Sequence, residues 1–343
     1  MKTRLFFQAF TCLLLTTMLL SCSDEPGLIL TPKPGPEPRI NGAKVFGVRP
    51  GSSFMFKIPC TGVRPMKYEV LNLPSGLVCE ENTGYITGVI NEPGTYKTTF
   101  RVTNLSGTAE REFRIVCGDQ LALTPHMGWN SWYVWENHVT DSIMRAAADA
   151  MVSSGMIDHG YMYINIDDCW AVKPGASDPS LAGEPRDANG MVNSNNRFPD
   201  MKSLTDYIHS LGLKAGIYTS PGPLTCAGHT GAYQYEEQDI KRFAEWGFDF
   251  LKYDWCSYGN IAKNDSLSEL QKPYILISEI LKNQNRDIVL NLCQYGMGDV
   301  WKWGKSVGGN SWRTAGDLGL KFEEIGKALF RDGFDLFTNK SLH

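Results

Sequence analysis

From Leu121 onward, short apolar runs alternate with amphipathic stretches of helical period, and nearly every apolar run stops at polar or aromatic residues. The stops read Trp129-Asn-Ser-Trp132, Asp167-Asp168, Tyr218-Thr-Ser220, Lys252-Tyr-Asp254, Cys293-Gln-Tyr295 and Arg313-Thr-Ala-Gly-Asp317. Strand–helix alternation requires crossover connections and hence a parallel sheet, either a closed barrel or an open doubly wound sheet. An open sheet collects its chemistry at one switch point, usually beside a Gly-rich phosphate turn. No such turn follows a strand here. Chemistry spread over the C-terminal ends of many strands is the pattern of a (β/α)8 TIM-type barrel. The spacing predicts strands over 127–132, 161–167, 213–219, 248–254, 288–293 and 310–315. It predicts helices over 141–154, 201–211, 236–246, 267–283, 299–305 and 322–331. Thr140 and Asp200 are the expected N-caps, and Gly155 and Gly247 the expected stops.

The first 120 residues are organised differently. Lys2 and Arg4 precede an apolar run to Leu20, which ends at Ser21-Cys22. This is the form of a signal peptide, and a cysteine directly after the small residue resembles a bacterial lipobox with Cys22 as the lipidated N-terminus. The run is short for a membrane span. Export to the periplasmic or cell-surface side as an outer-membrane lipoprotein follows as the expected localisation, with the membrane as a partner through that anchor. Residues 23–39, rich in Pro and Gly, read as an extended tether. Residues 40–118 hold short β-like runs over 53–58, 67–71, 85–89, 96–103 and 110–116, separated by turns such as Asn82-Thr-Gly84. They predict a small N-terminal β-sandwich, resembling the immunoglobulin-like modules that precede some bacterial glycosidases, with a spacer role expected. Residues 119–343 form the barrel part. A formal net charge of −4 argues against nucleic acid as a partner.

Within the barrel pattern, Lys252 and Asp254 stand two apart on one strand and so share its inward face. A lysine beside Asp254 favours the ionised carboxylate. On the strand pattern alone, Asp254 reads equally well as a nucleophile or as a cap for the next helix. Asp167 and Asp168 suggest a metal only weakly, because histidine partners are lacking; no metal or cofactor is expected.

Five segments in order, Met127-Gly-Trp-Asn-Ser-Trp132, Asn165-Ile-Asp-Asp-Cys-Trp170, Gly212-Leu-Lys-Ala-Gly-Ile-Tyr218, Leu251-Lys-Tyr-Asp254 and Trp312-Arg-Thr-Ala-Gly-Asp317, resemble glycoside hydrolase family 27. The family contains α-galactosidases, α-N-acetylgalactosaminidases and related pyranosidases. The resemblance implies a retaining enzyme for terminal α-galactosides, with Asp254 as nucleophile and Asp317 as general acid/base. The pair is then expected about 5–5.5 Å apart. Asp317 is expected to be partly buried, with a raised pKa. The resemblance further implies that Asp167 and Asp168 accept from the sugar 4- and 6-hydroxyls, that Lys252 reaches the 3- and 4-hydroxyls and that Arg313 reaches the 2-position. Trp129 and Tyr218 would wall the pocket. It also implies a Cys226–Cys256 disulfide, and free thiols at Cys169 and Cys293.

Gln294 and Tyr295 depart from the family pattern, in which many relatives carry an acidic residue and a tryptophan. Because that region contacts the 2-substituent, α-N-acetylgalactosaminide, β-L-arabinopyranoside and α-glucan specificities stay open beside α-galactoside. Only about six βα units are recognisable, so an incomplete barrel is expected, with a truncated, non-catalytic carbohydrate-binding remnant as the alternative to an enzyme.

Overall fold

The computed structural model describes residues 33–317. Cys22, most of the expected tether and the expected helix over 322–331 lie outside the described residues. Among the described residues no helix is long and apolar enough to cross a membrane.

The N-terminal part is built from nine strands: β1 (Arg39–Ile40), β2 (Val45–Val48), β3 (Ser53–Lys57), β4 (Cys60–Thr61), β5 (Lys67–Leu71), β6 (Leu77–Cys79), β7 (Tyr85–Val89), β8 (Gly94–Asn104) and β9 (Gly107–Cys117). They form a four-stranded sheet in the order β2-β9-β8-β5, a three-stranded sheet β3-β7-β6 and the pair β1-β4. The period-two alternation puts Thr98, Phe100 and Val102 of β8 inside, beside Phe113 and Ile115 of β9. Phe56 of the smaller sheet meets Phe113 of the larger one with ring centroids 4.8 Å apart, and Phe100 stacks on Phe113 at 4.3 Å. Each such buried ring contributes about 1.5–3 kcal/mol. The five expected strands are present. The short β1, β2, β4 and β6 were not anticipated.

The second part starts with β10 (Gly128–Asn130) and the short α1 (Trp132–Trp135). It continues through α2 (Asp141–Ser153), β11 (Tyr163–Asn165), α3 (Met201–Ser210), β12 (Lys214–Thr219), α4 (Glu236–Trp246), β13 (Phe250–Asp254), α5 (Leu267–Lys282), β14 (Val289–Cys293), α6 (Val300–Trp303) and β15 (Ser311–Trp312). The six strands pair in parallel in strict chain order, β10 to β15. A doubly wound sheet would reverse its order partway; this one winds in one direction only, as the strands of a (β/α)8 barrel do. The helix ends form where the residues dictate. Thr140 accepts from Ile143 N, Asp200 accepts from Ser203 N, and Gly247 closes α4 at φ +98°.

The sandwich is more than a spacer. Met162, Tyr163, Phe250 and Val289, at the N-terminal ends of β11, β13 and β14, are buried in the same apolar cluster as the sandwich core. Arg49, between β2 and β3, reaches across to the end of α5. Its backbone N–H and Nε donate to Asp287, at 2.9 and 2.5 Å. Its guanidinium also donates to the carbonyls of Leu281, Lys282, Gln284 and Arg286. One side chain thus satisfies carbonyls that a helix C-terminus leaves open. Arg64 adds an ion pair to Asp158 at 2.8 Å. Arg49→Ala removes the guanidinium from the carbonyls of Lys282, Gln284 and Arg286 and leaves Asp287 only the backbone N–H of residue 49. It is expected to lower stability by about 2–4 kcal/mol in urea denaturation. Arg49→Lys should recover only part of that, because an ammonium lacks the planar fork. An unchanged midpoint in Arg49→Ala would show that the clamp does not hold the two parts together.

Candidate active site

A cavity of about 440 Å³ opens at the C-terminal ends of the six barrel strands, lined by residues from every one of them or from the loops that follow. Parallel register brings these ends level: Asn130 pairs with Asn165, Tyr218 with Lys252, and Asp254 with Cys293. Asp167, Asp168, Tyr218, Lys252, Asp254, Tyr295, Arg313 and Asp317, all expected in the site, line this cavity.

Asp167 is the electrostatic centre. It is buried, and Oδ2 accepts from Lys252 Nζ and from Asn130 Nδ2, both at 2.8 Å. Burial works against the charge on Lys252, but Asp167 first, then Cys293 and Asp254, outweigh it and raise its pKa. Lys252 also lies 5.0 Å from the centre of the Tyr218 ring. Asp168 accepts from the N–H groups of Ala227 and Cys169 at 2.8 and 2.7 Å, yet burial still raises its pKa.

Lys252 favours the ionised form of Asp254, as expected, but burial outweighs it. Burial raises the Asp254 pKa, and Lys252 and the Tyr295 hydroxyl only partly offset this. Lys252 acts on Asp254 through its charge alone, because its ion pair is with Asp167. Tyr295 instead donates to Asp254 Oδ1 at 2.7 Å.

Three expectations are corrected. Trp129 does not line the cavity; its side chain packs against the barrel core, opposite to the neighbouring Asn130. Trp132 and Tyr133 of α1 form that wall, and Trp132 could have been found in the same Met127–Trp132 segment by stepping two residues from Asn130. Gln294 is likewise buried away from the cavity, with neither amide atom hydrogen-bonded among the described residues. Asp317 is not partly buried: its side chain is 76% exposed and accepts from Arg313 at 2.7 Å. It stands beyond β15, the outermost strand of the sheet on that side among the described residues, so no further strand packs over it there. Trp312, Thr314, Ala315 and Gly316, which belong to the Trp312–Asp317 segment but carry no expected role of their own, also line the cavity.

The loops after β12 and β13 are joined by the Cys226–Cys256 disulfide, with Cα atoms 4.9 Å apart. Tyr218 donates to Cys256 Sγ at 3.0 Å, so the crosslink also braces the pocket wall. These two sulfurs and Asp254 place ligand atoms within 4.8 Å of one another. Because the sulfurs are bonded together, they offer no thiolates for a metal. Cys169 and Cys293 are free and buried, and burial raises both thiols to about 12.

Carboxylates, a lysine, an arginine and aromatic walls are thus gathered at the strand tips of a one-way parallel sheet, where barrel enzymes carry their active sites. The family profile described as "Alpha galactosidase A" matches residues 124–318, and that described as "Putative Ig domain" matches residues 38–118. The chain belongs to this alpha-galactosidase family, glycoside hydrolase family 27. It is 42% identical over 202 residues to Alpha-galactosidase A of Cellvibrio japonicus, covering 58% of this chain and 45% of that protein. The crystal structure of a "putative alpha-galactosidase" of Bacteroides fragilis matches with TM-score 0.77 at 40% identity, over 85% of this chain and 59% of that one. The alpha-galactosidase of Saccharomyces cerevisiae solved with raffinose matches with TM-score 0.53 at 31% identity, over 59% of this chain and 42% of that one. The chain spans about half the length of the curated relatives it matches.

Removing the crosslink with Cys226→Ala and Cys256→Ala together is expected to lower stability by about 2–4 kcal/mol. The same loss should appear in the unmutated protein on adding reductant. Thermal denaturation with and without dithiothreitol checks this; a midpoint insensitive to both would mean that the loops are held by packing alone.

Proposed function

We propose that the protein is a retaining glycoside hydrolase that removes terminal α-galactosyl groups. The observation that carries this reading is the pairing of a buried Asp254 with an exposed Asp317 across one sugar-sized cavity. The alpha-galactosidase relatives and the raffinose bound to the yeast enzyme support a carbohydrate substrate.

Asp254 attacks the anomeric carbon while the glycosidic C–O bond breaks, and the leaving oxygen takes the proton of Asp317. Water then attacks the same carbon, gives its proton to Asp317, and returns the bonding pair to Asp254. Two inversions retain the configuration, with the carboxyl groups about 5–5.5 Å apart in the loaded enzyme. Asp167, Asp168 and Lys252 hold the ring hydroxyls, Arg313 faces the 2-position, and Trp132 and Tyr218 supply the walls. Membrane anchoring through Cys22 and action outside the cytoplasm complete the proposal.

The test uses the full-length protein on aryl α-galactoside, with the α-N-acetylgalactosaminide and β-L-arabinopyranoside as comparisons. Asp254→Asn should abolish turnover, and NMR of the first product should show the α-anomer. Activity that survives in Asp254→Asn, or a β-anomer, overturns the assignment. The acid limb has a definite sign. Asp254 must be ionised to attack, and its folded pKa is raised, so activity is lost on acidification at a pH above the ordinary aspartate value of about 3.9.

A further inference from the structure

Tyr295 follows the end of β14 by two residues and takes a left-handed backbone conformation, φ +64°, which a bulky residue rarely adopts. Such conformations persist where surrounding contacts determine them, and they cluster at functional sites. Here the turn carries the ring across the cavity floor. The hydroxyl lies 2.7 Å from Asp254 Oδ1 and 3.5 Å from Cys226 Sγ, and the Arg313 guanidinium stands 5.4 Å from the ring centre. The ring is thus held between the crosslinked loop and β15.

We propose that Tyr295 is a positioning residue for the attacking carboxylate: its hydroxyl holds Asp254 Oδ1 and leaves Oδ2 to bond the sugar. This rests on the retaining-hydrolase reading above. Burial first, and then the Asp254 carboxylate, raise the phenol's pKa, so Tyr295 remains an O–H donor throughout the working range. The other groups around Asp254 are Lys252 on its own strand, Cys293 on β14, which also hydrogen-bonds it, Asp167 after β11, Tyr218 on β12 and Tyr274 on α5. Arg313 and Asp317 line the same cavity.

The hydrogen bond has unequal effects on the two chemical steps. In the first, Oδ2 donates an electron pair to the anomeric carbon and Asp254 loses its charge. In the second, water displaces the ester, the bonding pair returns to Oδ2 and the charge reappears. A donor on Oδ1 binds the full carboxylate more strongly than the ester. It therefore favours release of the sugar over its capture.

The experiment compares the full-length protein with Tyr295→Phe, which keeps the ring and removes only the donor. On an aryl α-galactoside with a good leaving group, kcat and KM should fall together, kcat by about tenfold, as the covalent intermediate persists. The acid limb of kcat/KM should move up by about one pH unit, because the lost donor had favoured the ionised Asp254. A ¹³C-aspartate titration, with the Asp254 signal assigned from Asp254→Asn, reads the same shift without turnover. An unmoved Asp254 titration together with an unchanged kcat overturns the positioning role. An unmutated protein that releases the β-anomer, or that turns over equally well as Asp254→Asn, overturns the retaining reading instead.

Discussion

The site depends first on the Lys252–Asp167 ion pair. Burying a carboxylate or an ammonium alone is prohibitive, and a buried pair survives only when its geometry is close and the remaining polar atoms are bonded. Asp167 meets that condition with Lys252 from β13 on one side and Asn130 from β10 on the other. Three strand tips are thereby tied to one carboxylate. The tie also decides what is left for Asp254. With Lys252 directed at Asp167, Asp254 takes its hydrogen bonds from Tyr295 and Cys293, and burial raises its pKa in spite of them and of the Lys252 charge.

What could be read in the residues was what local chemistry controls. Helix caps at Thr140, Asp200 and Gly247 fall where the side chains demand them, and the polar strand tips announced both the barrel and most of its cavity. The strands that escaped notice, such as Arg39–Ile40 and Cys60–Thr61, are two residues long and show no period. Trp129 and Trp132 are the same residue type in one motif, and only the start of α1 immediately after β10 separates core from cavity. The Cys226–Cys256 pairing came from family likeness, since spacing alone permits many partners. Docking of the sandwich under the barrel joins residues more than two hundred positions apart, beyond the reach of any periodicity.

The two ends of the barrel sheet are used for different purposes. The C-terminal lip is polar, and its charges answer one another across the cavity. The N-terminal rim combines an aromatic cluster, with His126 edge-on to Phe250 at 4.8 Å and to Tyr163 at 5.8 Å, with a buried charged group, and the sandwich packs against it. At that rim Asp249, fully buried, has its pKa lowered despite burial by Lys214, His209 and Arg286. Loss of charge there on acidification removes stability rather than altering the chemistry at the far end, so the two ends respond to pH separately.

The Arg49 clamp also bears on the order in which the chain can come together. Arg49 leaves the ribosome early, inside a sandwich whose own strands are all complete by Cys117. Its acceptors, the carbonyls that close α5 and the Asp287 carboxylate, lie 232 to 238 residues further along the chain. The sandwich core is likewise completed only by Met162, Tyr163, Phe250 and Val289, which follow it in the chain. Closure of the Arg49 contact requires β13, α5 and the turn before β14 already to be in place. A single arginine thus joins the end of one of the early strands of the described chain to a segment made only after the strand that carries Asp254.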